Sequence, residues 1–200
     1  AASDVYKRQA MGVLSGVALL NYAYEVMLTA FDTADTPDCQ AHVIQALKVM
    51  SHKTGLYGML GGQSVDVEND GKPMSREMID YIYENKTSAL IEASVMTGAI
   101  LAGANEQEVS AVEKAAGNIG LAFQIQDDIL DVTSTLEVLG KPIGSDEKNH
   151  KATYVSFEGL EKAKEDVALY TNSAVARMDS LVVKNEFLNE LLLYLISREK

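Results

Sequence analysis

The chain has 200 residues, 47% of them hydrophobic, and a formal net charge of −12. That length and composition suit one globular domain with a sizeable core and exclude a disordered chain. The acidity excludes a nucleic-acid partner, and an anionic substrate would need a divalent cation to bridge it to such a surface.

Only three prolines occur, and Ala, Leu, Glu and Met are plentiful, which predicts an all-α protein. One cysteine, Cys39, cannot close an internal disulfide and points to a reducing, cytoplasmic setting. His42, His52 and His150 lack zinc-ligand spacing. No signal peptide opens the sequence, and the most apolar stretch, 88–104, is short and interrupted by Glu92. No stable membrane insertion is therefore expected. Residues 1–10 share none of the apolar periodicity that follows and read as a junction segment. With no initiator methionine, the expectation is a fragment whose domain occupies 11–200.

Residues 10–31 predict a first helix, buried because Leu14, Val17, Leu20, Tyr24, Val26 and Leu28 leave little polar surface. Thr36 can cap the next helix and Pro37 can take its first position, with an end near His52. Gly55, Gly58, Gly61 and Gly62 would each cost about 1 kcal/mol in an isolated helix, so close approach of another helix or a ligand is expected there. Gln63 and Asp66, three apart, share a face. They serve equally as surface residues or as part of a site. After a turn around Asp70-Gly71, Ser75 can cap a long helix to about Leu101. Its apolar stripe of Ile79, Ile82, Tyr83, Leu90 and Ala93 is interrupted by Lys86, beside Thr87. That lysine either snorkels to water or aims a cation into a pocket.

Gly103 ends this helix, and Asn105 with Glu108 forms a capping box for the next, 105–136. Its middle reads FQIQDDILD. Leu121, Ala122, Ile125, Ile129 and Val132 predict one apolar face, and Gln124, Asp127, Asp128 and Asp131 fall together on the adjoining one. Carboxylates so close repel unless a cation compensates them. Mg²⁺ fits, since it takes a few carboxylates, several waters and substrate phosphate oxygens. Residues 137–152 form a long loop holding Lys141, Lys148 and Lys151 beside that stripe. Ser156 predicts the cap of a helix to Met178 whose charged run, Glu158 to Asp166, reads as a solvated face. A last helix spans 185–197, with Phe187, Leu188, Leu191, Leu192 and Leu195 on its apolar side.

With these residues in view the chain resembles the trans-prenyltransferases, the polyprenyl diphosphate synthase family, and most of all its bacterial geranyl and farnesyl diphosphate synthases. GGQSVDV resembles that family's GQ-x-x-D helix, ENKTSALIEAS its KT motif, FQIQDDILDV its second aspartate-rich motif, and LGKPIGSDEKNHKATY the loop after it. The resemblance implies an isoprenoid synthase helical bundle that condenses an allylic diphosphate with isopentenyl diphosphate, using Mg²⁺, as a homodimer. It implies metal binding by Asp127, Asp128 and Asp131, with Asp127 the direct ligand. Lys86 and Lys141 would neutralise the allylic diphosphate, and Lys151 would support the closing loop. Thr87 and Gln124 would face the cationic carbon, and Gln63 and Asp66 would line the cavity. The family's first aspartate-rich motif and its arginines are absent, and Val17 stands where the family usually has Asp. A non-catalytic partner subunit is therefore the alternative. A terpene cyclase is a third reading, against which the KT motif argues.

Overall fold

The structure, a computed structural model, describes residues 2–133 and 152–197. Every regular element among them is helical: α1 (Ala2–Leu28), a 3₁₀ turn (Thr29–Asp32), α2 (Pro37–Thr54), α3 (Met59–Glu68), α4 (Arg76–Ile82), a π-helical segment (Tyr83–Ser88), α5 (Ala89–Leu101), α6 (Glu106–Thr133), α7 (Tyr154–Glu158), α8 (Leu160–Asp179) and α9 (Glu186–Ser197). The all-α expectation holds. Of the expected loop, residues 137–151 lie outside the described residues, so Lys141, Lys148 and Lys151 do too.

The ends of these helices follow from local chemistry. The Thr36 hydroxyl accepts from the Cys39 N–H at 3.1 Å, and Pro37, which has no N–H to lose, starts α2. The Ser75 hydroxyl accepts from Met78 N–H at 3.3 Å to start α4. Asn105 Oδ1 accepts from the N–H groups of Gln107 and Glu108, and Glu108 Oε2 accepts from Asn105 N–H, completing the box that opens α6. Gly103, at φ 83°, turns the chain out of α5 in a conformation costly to any other residue.

The core is built around α6, which packs between α5 and α8, with the π segment across its middle. Ala115, Ile119, Ala122 and Ile125 are almost fully enclosed. Ala is used where α5 and α8 come close, because a small side chain lets backbones approach without losing helix propensity. At the far end of α6 the expected apolar face fails by one residue: Val132 is exposed.

Four further expectations are corrected. The first helix begins at Ala2 rather than at residue 10, and it is not buried: Val13 is 68% exposed and Leu19 69%, with Leu14 and Val17 similarly open. Its composition favours a helix whose sides want cover, yet no described element lies along it. Its segment Lys7–Asp32 is also long and apolar enough, by length and composition, to cross a membrane, where the sequence had pointed instead to 88–104. Composition alone does not separate such a helix from one made for the interior of a bundle, and Asn21 and Glu25, bonded to each other at 2.6 Å, sit within it. Leu90 is exposed, not on the core stripe, because the five-residue turn before it rotates the register and leaves Ala89 and Ala93 inside. The helix expected from Ser156 is two helices. Thr153 is the cap, Ser156 the third residue of its box, and Gly159 at φ 80° breaks the run.

On α9 the Asn185 side chain caps by accepting from Leu188 N–H, but Phe187 faces solvent and Leu192 and Ile196 are the residues buried.

Candidate functional site

The site is organised by the π segment, and two glycines explain why the chain tolerates it. A Cβ on Gly62 of α3 would lie 2.5 Å from the Lys86 backbone nitrogen. A Cβ on Gly120 of α6 would lie 2.4 Å from Ser88 Cα. The wide turn is thus clamped from both sides at distances only glycine permits. Within it, the Ser88 hydroxyl donates to the Tyr83 carbonyl at 3.1 Å, five residues back. Gly120→Ala is expected to cost about 1–3 kcal/mol by overpacking backbone that cannot give way. A urea titration checks this, and an unchanged midpoint would show that the clamp is loose.

This turn brings the sequence-selected residues together. Lys86 Nζ reaches Asp66 Oδ2 of α3 at 2.5 Å. Lys86 and Asp66 thus pair with each other between the π segment and α3, Asp66 being the more buried of the two. Thr87 Oγ1 donates to Gln124 Oε1 of α6 at 2.9 Å. Gln63, next to Gly62, is half-buried on the same helix as Asp66. A small cavity of about 20 Å³ lies among Asp66, Tyr83, Lys86 and Gln124.

The three aspartates diverge. Asp127 is half-buried, whereas Asp128 and Asp131 are 5% and 4% exposed. Asp128 Oδ2 accepts from the Tyr83 hydroxyl and, at 2.8 Å, from the Tyr154 N–H. Among the described residues no group of three or more His, Cys, Asp or Glu side chains is disposed to hold a metal ion. In donor type, the carboxylate of Asp127 and the amide oxygen of Gln124 suit a hard cation that keeps most of its waters. In number they supply part of a coordination shell, the rest being left to water and substrate oxygens.

Two charged groups escaped the sequence reading. Lys53 Nζ of α2 bonds Glu92 of α5 at 2.5 Å and Glu113 of α6 at 2.7 Å. Burial pulls its pKa down, but the hydrogen bonds from its ammonium to Glu113 and Glu92 outweigh this and raise it. Lys53 and Glu92, with Ser88, Ala89 and Leu121, line a cavity of about 400 Å³. No spacing signals a triad whose members are 39 and 60 residues apart. The other is Asp166, expected on a solvated face and in fact 6% exposed. It accepts from the Tyr154 hydroxyl at 2.8 Å and from Lys162. Burial would raise its carboxyl, yet those two donors carry it below its usual value. Burial first, and then Asp166, push the Tyr154 phenol up to about 12. Here a signal existed: Asp166 shares the helical face of Ala163, Val167 and Ala174.

The arrangement offers one cation, one hydroxyl–amide pair and one half-open carboxylate around a turn held by glycine contacts. That is chemistry for gripping a phosphate-bearing ligand and stabilising positive charge beside it.

Comparison with known proteins bears on this. The family model described as polyprenyl synthetase matches residues 3–190. A geranylgeranyl diphosphate synthase of Cyanophora paradoxa is 40% identical over 190 residues, covering 88% of this chain and 62% of that protein. A farnesyl diphosphate synthase of Geobacillus stearothermophilus is 37% identical over 166 residues, covering 83% and 55% respectively. The chain therefore spans less than two thirds of these relatives' length. Among solved structures, an FPP/GFPP synthase from Zymomonas mobilis superposes with a TM-score of 0.76 at 28% identity, over 93% of this chain and 61% of that one. A geranyltransferase from Helicobacter pylori, complexed with magnesium and isoprenyl diphosphate, gives 0.71 at 29% identity, over 92% and 58%. These neighbours are isoprenoid synthases, and the helical bundle described above is of their kind.

Proposed function

The chain belongs to the polyprenyl synthetase family, and from that premise we propose that it carries the diphosphate-ionising half of a prenyltransferase site. That enzyme would join an allylic diphosphate to isopentenyl diphosphate. One observation carries the reading: Asp66, Lys86, Thr87 and Gln124, distant in sequence, meet at the turn clamped by Gly62 and Gly120.

Lys86 holds the allylic diphosphate by its ammonium, with Asp66 fixing where that ammonium points. Asp127 is the carboxylate that faces the metal. Mg²⁺, when bound, supplies electrophilic stabilisation of the departing pyrophosphate. Gln124 presents its amide dipole toward the carbon left positive, and the Thr87 hydroxyl holds that amide in place. Gln63, half-buried on α3, would contribute to binding from the same helix as Asp66. Lys141 and Lys151 bring further cations to the diphosphate. Residues 11–200 would be one polyprenyl synthetase domain of an enzyme that acts as a homodimer in the cytoplasm, without nucleic acid or stable membrane insertion. An exposed free thiol at Cys39 supports the reducing setting. The relationship to the geranylgeranyl and farnesyl synthases supports the substrate class.

Lys86→Ala is expected to weaken pyrophosphate binding about 10- to 100-fold, the worth of a hydrogen bond to a charged group. A stability cost is also expected, because the variant leaves a largely buried carboxylate without this cation. Calorimetry with pyrophosphate, alongside melting curves, tests both parts. Binding equal to the parent's would overturn the assignment, and Lys86→Arg separates charge from shape.

A further inference from the structure

Asp128, in the chain's acidic motif, is a buried carboxylate with two donors on one oxygen. Its Oδ2 takes the Tyr83 hydroxyl and the Tyr154 N–H at once, and that N–H also lies 3.4 Å from the Tyr83 oxygen. Three elements therefore converge on one oxygen: α6 through Asp128, the π segment through Tyr83, and the start of α7 through Tyr154. Tyr154 is itself anchored. Its hydroxyl donates to Asp166 of α8, and the Arg76 guanidinium of α4 lies 4.2 Å over its ring. Arg76 in turn bonds Asp80 at 2.9 Å and Glu158.

We propose that Asp128 is a positioning residue and not a metal ligand: its carboxylate locks the Lys86-bearing turn and the Tyr154 segment onto the helix that presents Gln124 and Asp127. This rests on the functional reading above and deepens it by giving Asp128 a role of its own, apart from the one assigned to Asp127. The physical ground is direction. A carboxylate engaged by two donors from the interior, at 5% exposure, has its charge satisfied there. Asp127, one residue earlier and about 100° around the helix, is the half-open one. The lock also sets where Lys86 sits, since Tyr83 and Lys86 belong to the same six-residue turn.

The discriminating variants are Asp127→Asn, Asp128→Asn and Asp128→Ala. An asparagine oxygen can still accept from Tyr83 and Tyr154 but brings no charge to a cation. In calorimetry of Mg²⁺ with inorganic pyrophosphate, Asp127→Asn should lose about tenfold or more in affinity. Asp128→Asn should stay within about threefold of the parent, and Asp128→Ala should fall well below both Asp128→Asn and the parent. Equal losses in the two asparagine variants would overturn the proposal. Should the parent itself fail to bind Mg²⁺ and pyrophosphate, the functional reading falls, and the lock is read from stability. Tyr83→Phe and Asp128→Ala should then lower the melting temperature by less together than the sum of each alone. Additive effects would overturn the lock.

Discussion

Asp127→Ala is expected to abolish Mg²⁺-dependent pyrophosphate binding, with at least about a 100-fold loss, while leaving the fold intact or slightly firmer. The two effects have opposite signs for one reason. Asp127 stands four residues from Asp131 and beside Asp128 on the same helix, and like charges at that spacing repel by a few tenths of a kcal/mol. Removing one relieves the free protein. The same repulsion is what a divalent cation would neutralise, so the ligand-bound state loses the carboxylate it depends on most. Asp128 is committed to Tyr83 and Tyr154, and Asp131 is buried. Neither can step into the place of the half-open residue. Calorimetry of pyrophosphate with and without Mg²⁺ gives the first quantity and a melting curve the second. Binding that survives the substitution would sink the metal assignment and leave the acidic stripe a solvated face.

What could be read from the sequence divides along the range of the interaction involved. Caps were legible because donor and acceptor lie within three residues: Thr36 with Cys39, Ser75 with Met78, and Asn105 with Glu108. The close approach expected of the glycines near residue 60 was legible at Gly62, since a stretch so costly to helix needs a steric reason. The position of Leu90 was not, because a 3.6-residue period was assumed through a turn that has a different one. Val13 and Val17 mark another limit: a pattern of apolar residues says that a helix wants cover and not whether anything lies against it.

At the site, the residue types were legible in the sequence but the π-helical turn that gathers them was not, since a continuous helix from Ser75 to about Leu101 was expected. Lys86, Thr87, Gln124 and Asp66 do meet. The engagement of Asp128 was invisible, since it depends on Tyr83 and on Tyr154, which lies 26 residues beyond Asp128. The triad of Lys53, Glu92 and Glu113 was invisible for the same reason.

The chain as given should condense dimethylallyl and isopentenyl diphosphates at a rate far below that of its relatives. Its one acidic helix is the ground for this. A departing pyrophosphate needs cationic stabilisation around it, and among the described residues no group of three or more His, Cys, Asp or Glu side chains is disposed to hold a metal ion. Loss of a single well-placed electrostatic partner commonly costs about 10²–10³ in rate, and loss of a whole metal-holding group costs more. The exposed faces of α1 add a physical difficulty, since a helix with Val13, Leu14, Val17 and Leu19 open to water favours association. The measurement has two arms: product formation by the chain itself, and by a version in which residues 1–10 are replaced with the corresponding upstream segment of a full-length relative bearing the first aspartate-rich motif. Mg²⁺-dependent product in the second arm alone is the expected result. Vigorous synthesis by the chain itself would show that the helix bearing Gln124 and Asp127, with Lys86 across from it, is sufficient for ionisation. No product in either arm would favour a subunit that lends its surface to another chain's catalysis.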